Sequence, residues 1–300
     1  SKGAGENLNS LGYEGEYIIM PNGVDFPRGR ADSDGIAELR ADYELKDGVP
    51  VFIFVGRLFW YKGLHLIFDS LKQLSERGIE YKMLVVGDGG DREEMEKYTQ
   101  ELGIADSCIF VGAINSREEL RFYYSASDLF LFPSLYDTNG IVVREAAACG
   151  LASILIKGSC AAEDFTDQHN AILTENDVES FTGDLIFAAS HLAELKRIGE
   201  NAMNEVYLSW ESAVERAYDR YSVVIENCKH GVTQRRETKM QEVLFSSISD
   251  ITDSIQKVRS ITANTKSKGM RFSHAIIRKS KAIKDNITTN IKELTDKSDK

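Results

Sequence analysis

Val51-Phe52-Ile53-Phe54-Val55-Gly56-Arg57-Leu58-Phe59-Trp60-Tyr61-Lys62-Gly63 decides the fold. Five consecutive apolar, β-rich residues closed by a glycine read as a strand buried on both faces. Directly beyond them Leu64, Ile67, Phe68, Leu71 and Leu74 recur at three- and four-residue steps, which predicts a helix ending near Gly78. The cycle then repeats. Met83 to Val86 precedes Gly87 and a charged helix from Asp91 to Leu102; Cys108 to Val111 precedes Gly112 and a helix from Arg117 to Tyr124. Leu129 to Phe132 precedes a helix from about Gly140 to Cys149, and Ser153 to Ile156 follows. Short buried strands alternating with helices predict an α/β, Rossmann-like parallel sheet with helices on both faces.

In such sheets ligands bind beyond the carboxyl ends of the strands, so the chemistry belongs in the strand-to-helix loops. Arg57 and Lys62 leave the first loop five residues apart. A planar fork and a mobile point charge converging on one place suit a diphosphate, although two cations on a solvated loop would look the same. The Gly87-Asp88-Gly89-Gly90 loop lacks the third glycine of the dinucleotide fingerprint, and a tight turn explains it. Asp137 stands in the loop before a helix and Glu145 about one and a half turns inside that helix. Acidic groups there can accept hydrogen bonds from sugar hydroxyls; taken singly, Asp137 reads as a helix cap and Glu145 as an ordinary helical carboxylate.

The composition is that of a globular protein: 300 residues, 42% hydrophobic, net charge -11. No run reaches the roughly 18 to 20 apolar residues of a membrane-spanning helix. The charge is divided. Residues 228–300 carry 16 Lys+Arg against 8 Asp+Glu, a net of +8, and residues 1–227 carry 20 against 39, a net of -19. So acidic a first body argues against a nucleic-acid partner. The four cysteines (Cys108, Cys149, Cys160, Cys228) have no C-x-x-C spacing and read as buried reduced thiols of a cytoplasmic protein. The five histidines show no metal-ligating pattern, and His65, near the first loop, reads as a helix-surface residue.

Taken in order, these positions resemble the donor-binding domain of family 4 retaining glycosyltransferases, which have the two-domain GT-B fold. Met20-Pro21-Asn22-Gly23-Val24-Asp25 is similar to the family's PNGVD entry, and Phe54-Val55-Gly56-Arg57-Leu58 with Lys62-Gly63 to its GRL-x3-KG element. Val86 to Gly89 and Phe110 to Gly112 resemble the next two glycine loops. Ser127 to Ser134 resembles the approach to the E-x7-E signature, here Asp137 through Glu145 to Gly150, and Trp210-Glu211 its closing helix.

The resemblance implies a nucleotide diphosphate sugar donor, most commonly a UDP-sugar, a glycan or lipid-linked acceptor, and a role in cell-envelope polysaccharide or glycolipid synthesis, with no metal or other cofactor. It implies that Arg57 and Lys62 bind the diphosphate and that Glu145 holds the ribose. Asp137 with the amides of Thr138, Asn139 and Gly140 would hold the transferred sugar, with Ile141 beside them. Val111 and Gly112 would flank the base, while Gly56 and Gly87 let the phosphates approach the backbone. An epimerase or phosphorylase of the same fold, or a non-catalytic assembly module, is the alternative. Asp137 replaces the family's usual Glu, Asn139 its aromatic or Gln, and Ala152 its Pro, and these departures leave the sugar open.

Family members carry an acceptor-binding domain ahead of the PNGVD element, which here begins 20 residues in, after Ser1 rather than a Met. The expected organisation is therefore an interdomain link or the end of a missing domain at 1–19, a nucleotide-sugar-binding domain at 20–227 and an amphipathic helical tail at 228–300. The chain would be the donor half of a longer enzyme. In the tail, Leu244, Ile248, Ile251, Ile255 and Val258 step by 4, 3, 4 and 3, and Ile276, Ile283, Ile287, Ile291 and Leu294 form a second stripe among basic residues. Residues 240–298 would meet a helical partner or an anionic membrane surface, placing a cytoplasmic protein on the membrane's inner face.

Overall fold

A computed structural model describes residues 2–15, 17–135, 137 and 140–230. Thr138, Asn139 and both apolar stripes of the tail lie outside them. The chain divides into Ser1–Lys229 and His230–Lys300, and the sheet belongs to the first unit.

Six strands form one parallel sheet: β1 (Val51–Val55), β2 (Lys82–Val86), β3 (Cys108–Gly112), β4 (Leu129–Phe132), β5 (Ala152–Ile156) and β6 (Ile172–Thr174). Their order is β3-β2-β1-β4-β5-β6. Ile53 of β1 pairs with Leu84 of β2 on one side and Phe130 of β4 on the other. The five apolar residues of β1 are buried because the strand lies inside the sheet with helices on both faces. On one face Val51, Ile53, Val55, Phe130 and Phe132 pack beneath α2 (Ser33–Asp42), α5 (Arg117–Ala126) and α6 (Ile141–Ala148). On the other, Phe52, Phe54, Leu129 and Leu131 pack beneath α3 (Leu64–Glu76), α4 (Arg92–Glu101) and α7 (Val178–Ser190). Each buried side chain of this size contributes about 1.5–3 kcal/mol.

The elements expected from the sequence form, with differences that have physical reasons. β3 is half-buried along its whole length because it is an edge strand. α1 (Lys2–Ser10) lies within the segment read as a link, and its Gly3 amide is held by Glu163 at 2.7 Å. α2, also unread in the sequence, starts where Asp32 accepts the Gly35 amide. α8 (Leu192–Glu205) packs on β5. The closing helix α9 (Trp210–Lys229) carries the boundary set by charge at 228 inside its last turn. Of the cysteines only Cys149 is buried; Cys108 and Cys160 are partly so and Cys228 is exposed, which corrects the expectation of buried thiols. Burial pushes the Cys108 and Cys149 thiols up to about 12, far from a reactive thiolate. No helix among the described residues is long and apolar enough to cross a membrane.

Candidate functional site

From β1 the chain turns one way, to β2 and β3, and from β4 the other way, to β5 and β6. The loops leaving β1 and β4 therefore diverge, and a crevice opens between them at the carboxyl ends of the two strands. At its base the loops touch: Gly63, with φ +86°, is so close to Pro133 that a Cβ there would lie 2.9 Å from the proline ring.

Arg57 and Lys62 leave the β1 loop and Asp137 the β4 loop. Lys62 Nζ donates to both carboxylate oxygens of Asp137, at 2.7 and 2.8 Å. The lysine side chain is 11% exposed and that of Asp137 24%, so the pair is partly shielded from water. Asp137 therefore does not cap the following helix: α6 starts at Gly140 in a left-handed conformation with no side-chain cap. Arg57 Nη2 donates to the Tyr61 hydroxyl at 2.9 Å and lies over the Phe59 ring.

Glu145 is 3% exposed and is no ordinary helical carboxylate. Arg117 Nη1 donates to its Oε1, and the Tyr124 hydroxyl to its Oε2 at 3.3 Å. Burial raises the carboxyl above its ordinary value, against the pull of Arg117 and Tyr124. Burial, followed by the neighbouring Glu145, pushes the Tyr124 hydroxyl well up. Arg117 also lies 3.9 Å from Asp25, so the acidic end of the PNGVD element and the carboxylate of α6 share one cation. No local pattern marks this pairing, since Arg117 and Glu145 lie 28 positions apart on separate helices.

The glycines at the strand ends are laced together. The Gly56 amide donates to Val86 O at 3.0 Å and the Gly87 amide to Gly112 O at 2.8 Å. Gly87 has φ +139°, and a Cβ on it would fall 1.8 Å from Gly56 O. Close backbone approach, more than a tight turn, explains this glycine. Val111 and Gly112 close the half-exposed edge strand, Gly140 is buried, and Ile141 opens α6 half-buried. His65 stacks on Trp60 with ring centroids 3.7 Å apart, a packing role in keeping with its reading as a helix-surface residue. Ser134, beside Pro133, keeps a buried hydroxyl with no hydrogen-bond partner, which no sequence pattern marked.

Two cavities among the described residues lie elsewhere. One of about 470 Å³ is lined by Ile19, Arg144, Glu205 and Arg216, among others; one of about 620 Å³ lies at the opposite end of the sheet beside Asp128 and Lys196. Neither contains Arg57, Lys62, Asp137 or Glu145. In the first, Arg144 is already engaged by Asp164 and Val206 O, and Glu205 by His169 and Asn170. The chemistry selects the crevice.

The family described as glycosyl transferases group 1 matches residues 35–205. A GDP-mannose-dependent alpha-(1-6)-phosphatidylinositol monomannoside mannosyltransferase of Mycolicibacterium smegmatis is 30% identical over 178 residues, 56% of this chain and 46% of its own. The 2-deoxystreptamine glucosyltransferase of Streptomyces kanamyceticus is 28% identical over 190 residues, 62% of this chain and 45% of its own. Among solved structures, Anabaena Alr3699/HepE in complex with UDP and glucose matches with a TM-score of 0.66 at 21% identity, over 74% of this chain and 61% of that one; at that identity the likeness concerns the fold. The chain spans about half the length of the curated relatives it matches. Since the family match covers more than half of the chain and takes in both crevice loops and α6, the chain belongs to the glycosyl transferases of group 1.

Proposed function

We propose that residues 20–227 bind the nucleotide diphosphate sugar from which a retaining glycosyltransferase transfers its sugar. The observation that carries the reading is the meeting of Lys62 and Asp137 across the switch point, with Arg57 on the same loop. Arg57 and Lys62 take the diphosphate and stabilise the charge that collects on it as the glycosidic bond breaks. Asp137, held by Lys62, takes the sugar hydroxyls, a role it shares with Thr138, Asn139, Gly140 and Ile141. Glu145 accepts from the ribose, the base lies against Val111 and Gly112, and Gly56 and Gly87 let the phosphates approach. The two side-chain cations carry the charge balance that a metal would otherwise supply.

A UDP-sugar is the proposed donor, supported by the HepE complex with UDP-glucose; the mannosyltransferase relative, named for GDP-mannose, makes GDP the comparison. A glycan or lipid-linked acceptor, as in glycolipid or envelope polysaccharide synthesis, is supported by relatives named for phosphatidylinositol mannoside and for diacylglycerol. A glycolipid acceptor would bring the protein to a membrane surface.

Calorimetric titration with UDP, GDP and their sugars tests the reading. Glu145→Gln is expected to weaken binding about 10- to 100-fold, the loss of charge-assisted hydrogen bonds, and to erase the preference for UDP over 2′-deoxy-UDP. A carboxyl raised by burial takes up its proton as pH falls, so wild-type affinity is full above that raised value and declines below it. The glutamine variant is expected to lack that decline. Equal affinity of wild type and variant for UDP would contradict the assignment of Glu145.

A further inference from the structure

The three residues between Arg57 and Lys62 that follow Leu58 are all aromatic, and they divide by role. Trp60 is an anchor. Its ring stacks on His65 and meets Phe68 and Tyr98 edge-on, and its amide donates to Asp91 at 2.9 Å. Phe59 and Tyr61 stack on each other, with centroids 5.9 Å apart and planes at 21°. Each ring of this pair holds one cation. The Arg57 guanidinium lies 5.7 Å from the Phe59 centroid and donates to the Tyr61 hydroxyl; Lys62 Nζ lies 5.2 Å from the Tyr61 centroid.

Resting on the donor-site reading above, we infer that Tyr61, stacked on Phe59, is the positioning residue that holds Arg57 and Lys62 converged on the donor's diphosphate. Arginine and lysine have the most rotamer freedom to lose when a ligand fixes them. Attraction to a ring face together with a hydrogen bond to a phenol restrains both before the ligand arrives, so less of the binding free energy goes into ordering them. The turn is suited to this. Trp60 to Lys62 forms one 3-10 turn, closed by Gly63 in the left-handed conformation, so the anchor and the bracket cannot rotate independently. Tyr61 is 45% exposed and touches the cations rather than the core, so its removal leaves the fold intact.

Titration of the wild type and variants with UDP and UMP tests the inference, with thermal melting as a check on folding. Tyr61→Ala is expected to weaken UDP about tenfold, the cost of ordering two long side chains only when the ligand binds, and to narrow the UDP-over-UMP preference. Tyr61→Phe keeps the ring and is expected to recover most of the loss, leaving about threefold. Unchanged UDP affinity in Tyr61→Ala, or equal weakening toward UDP and UMP, would overturn the inference. Arg57→Ala and Lys62→Ala are the controls. If they weaken UDP and Tyr61→Ala does not, only the role of Tyr61 falls; if neither weakens it, the donor site itself is misplaced and the inference falls with it.

Discussion

On the proposed donor-site reading, Lys62→Ala in an enzyme that carries both the donor and the acceptor half is expected to lower the turnover of sugar transfer by about two to three orders of magnitude, the range seen when one preorganised group facing developing charge is removed. Its ammonium is fixed from two sides, by both carboxylate oxygens of Asp137 and by the face of Tyr61. A charge held in that way adds most where negative charge grows, on the departing phosphate, so kcat should fall by more than KM rises. The variant should fold normally, since the pair lies on two loops and outside both hydrophobic clusters. Lys62→Arg should not restore the rate. A guanidinium is planar and larger, and a side chain only 11% exposed has little room for it. Steady-state kinetics of the two-domain enzyme with saturating donor measure both variants; turnover within threefold of the wild type for Lys62→Ala would remove the lysine from the chemistry.

Gly87→Ala is expected to have the largest effect on stability, a loss of more than about 3 kcal/mol and a melting temperature lower by about 10 °C. Two penalties add at this residue. The φ of +139° is one that L side chains rarely adopt, and the new methyl would sit 1.8 Å from Gly56 O. Relief would need β1 and β2 to part at the point where the Gly56 and Gly87 amides bind them to each other and to β3. Gly103→Ala is the control: its φ is +71° but nothing lies within 4 Å of the added methyl, so only the conformational cost of about 1 kcal/mol applies. Melting curves distinguish the two. Equal losses would show that close approach of the backbones contributes nothing.

β1 to β4 were legible because they are apolar runs closed by a glycine or the proline at 133, as strands inside a covered parallel sheet are, and β5 by its apolar run to Ile156; β6, three residues ending in Thr174, was too short to read. α2 was not legible: its hydrophobic stripe is weak and only Leu39 is buried, so periodicity gave little sign of it. The crevice loops were legible because glycine, arginine and lysine at fixed spacing stand out in an acidic body. The partners of those residues were less so. Asp137 reads equally well as a helix cap until the fold brings it to Lys62, 75 positions away. Nor does the sequence show that Glu145 is buried against Arg117 and Tyr124, because that depends on how α5 and α6 pack on the sheet. The aromatic bracket has a local signature, three consecutive rings between two cations, but hydropathy cannot tell Trp60, turned into an aromatic cluster, from Tyr61, turned toward the cations.

A crystal structure of the protein with a bound nucleoside diphosphate tests the central claim most directly. The diphosphate is expected between Arg57 and Lys62, beyond the carboxyl ends of β1 and β4, with the ribose hydroxyls within hydrogen-bond distance of Glu145. A diphosphate settled instead in the 470 Å³ cavity beside Arg144 and Arg216, with the Lys62–Asp137 pair untouched, would contradict it.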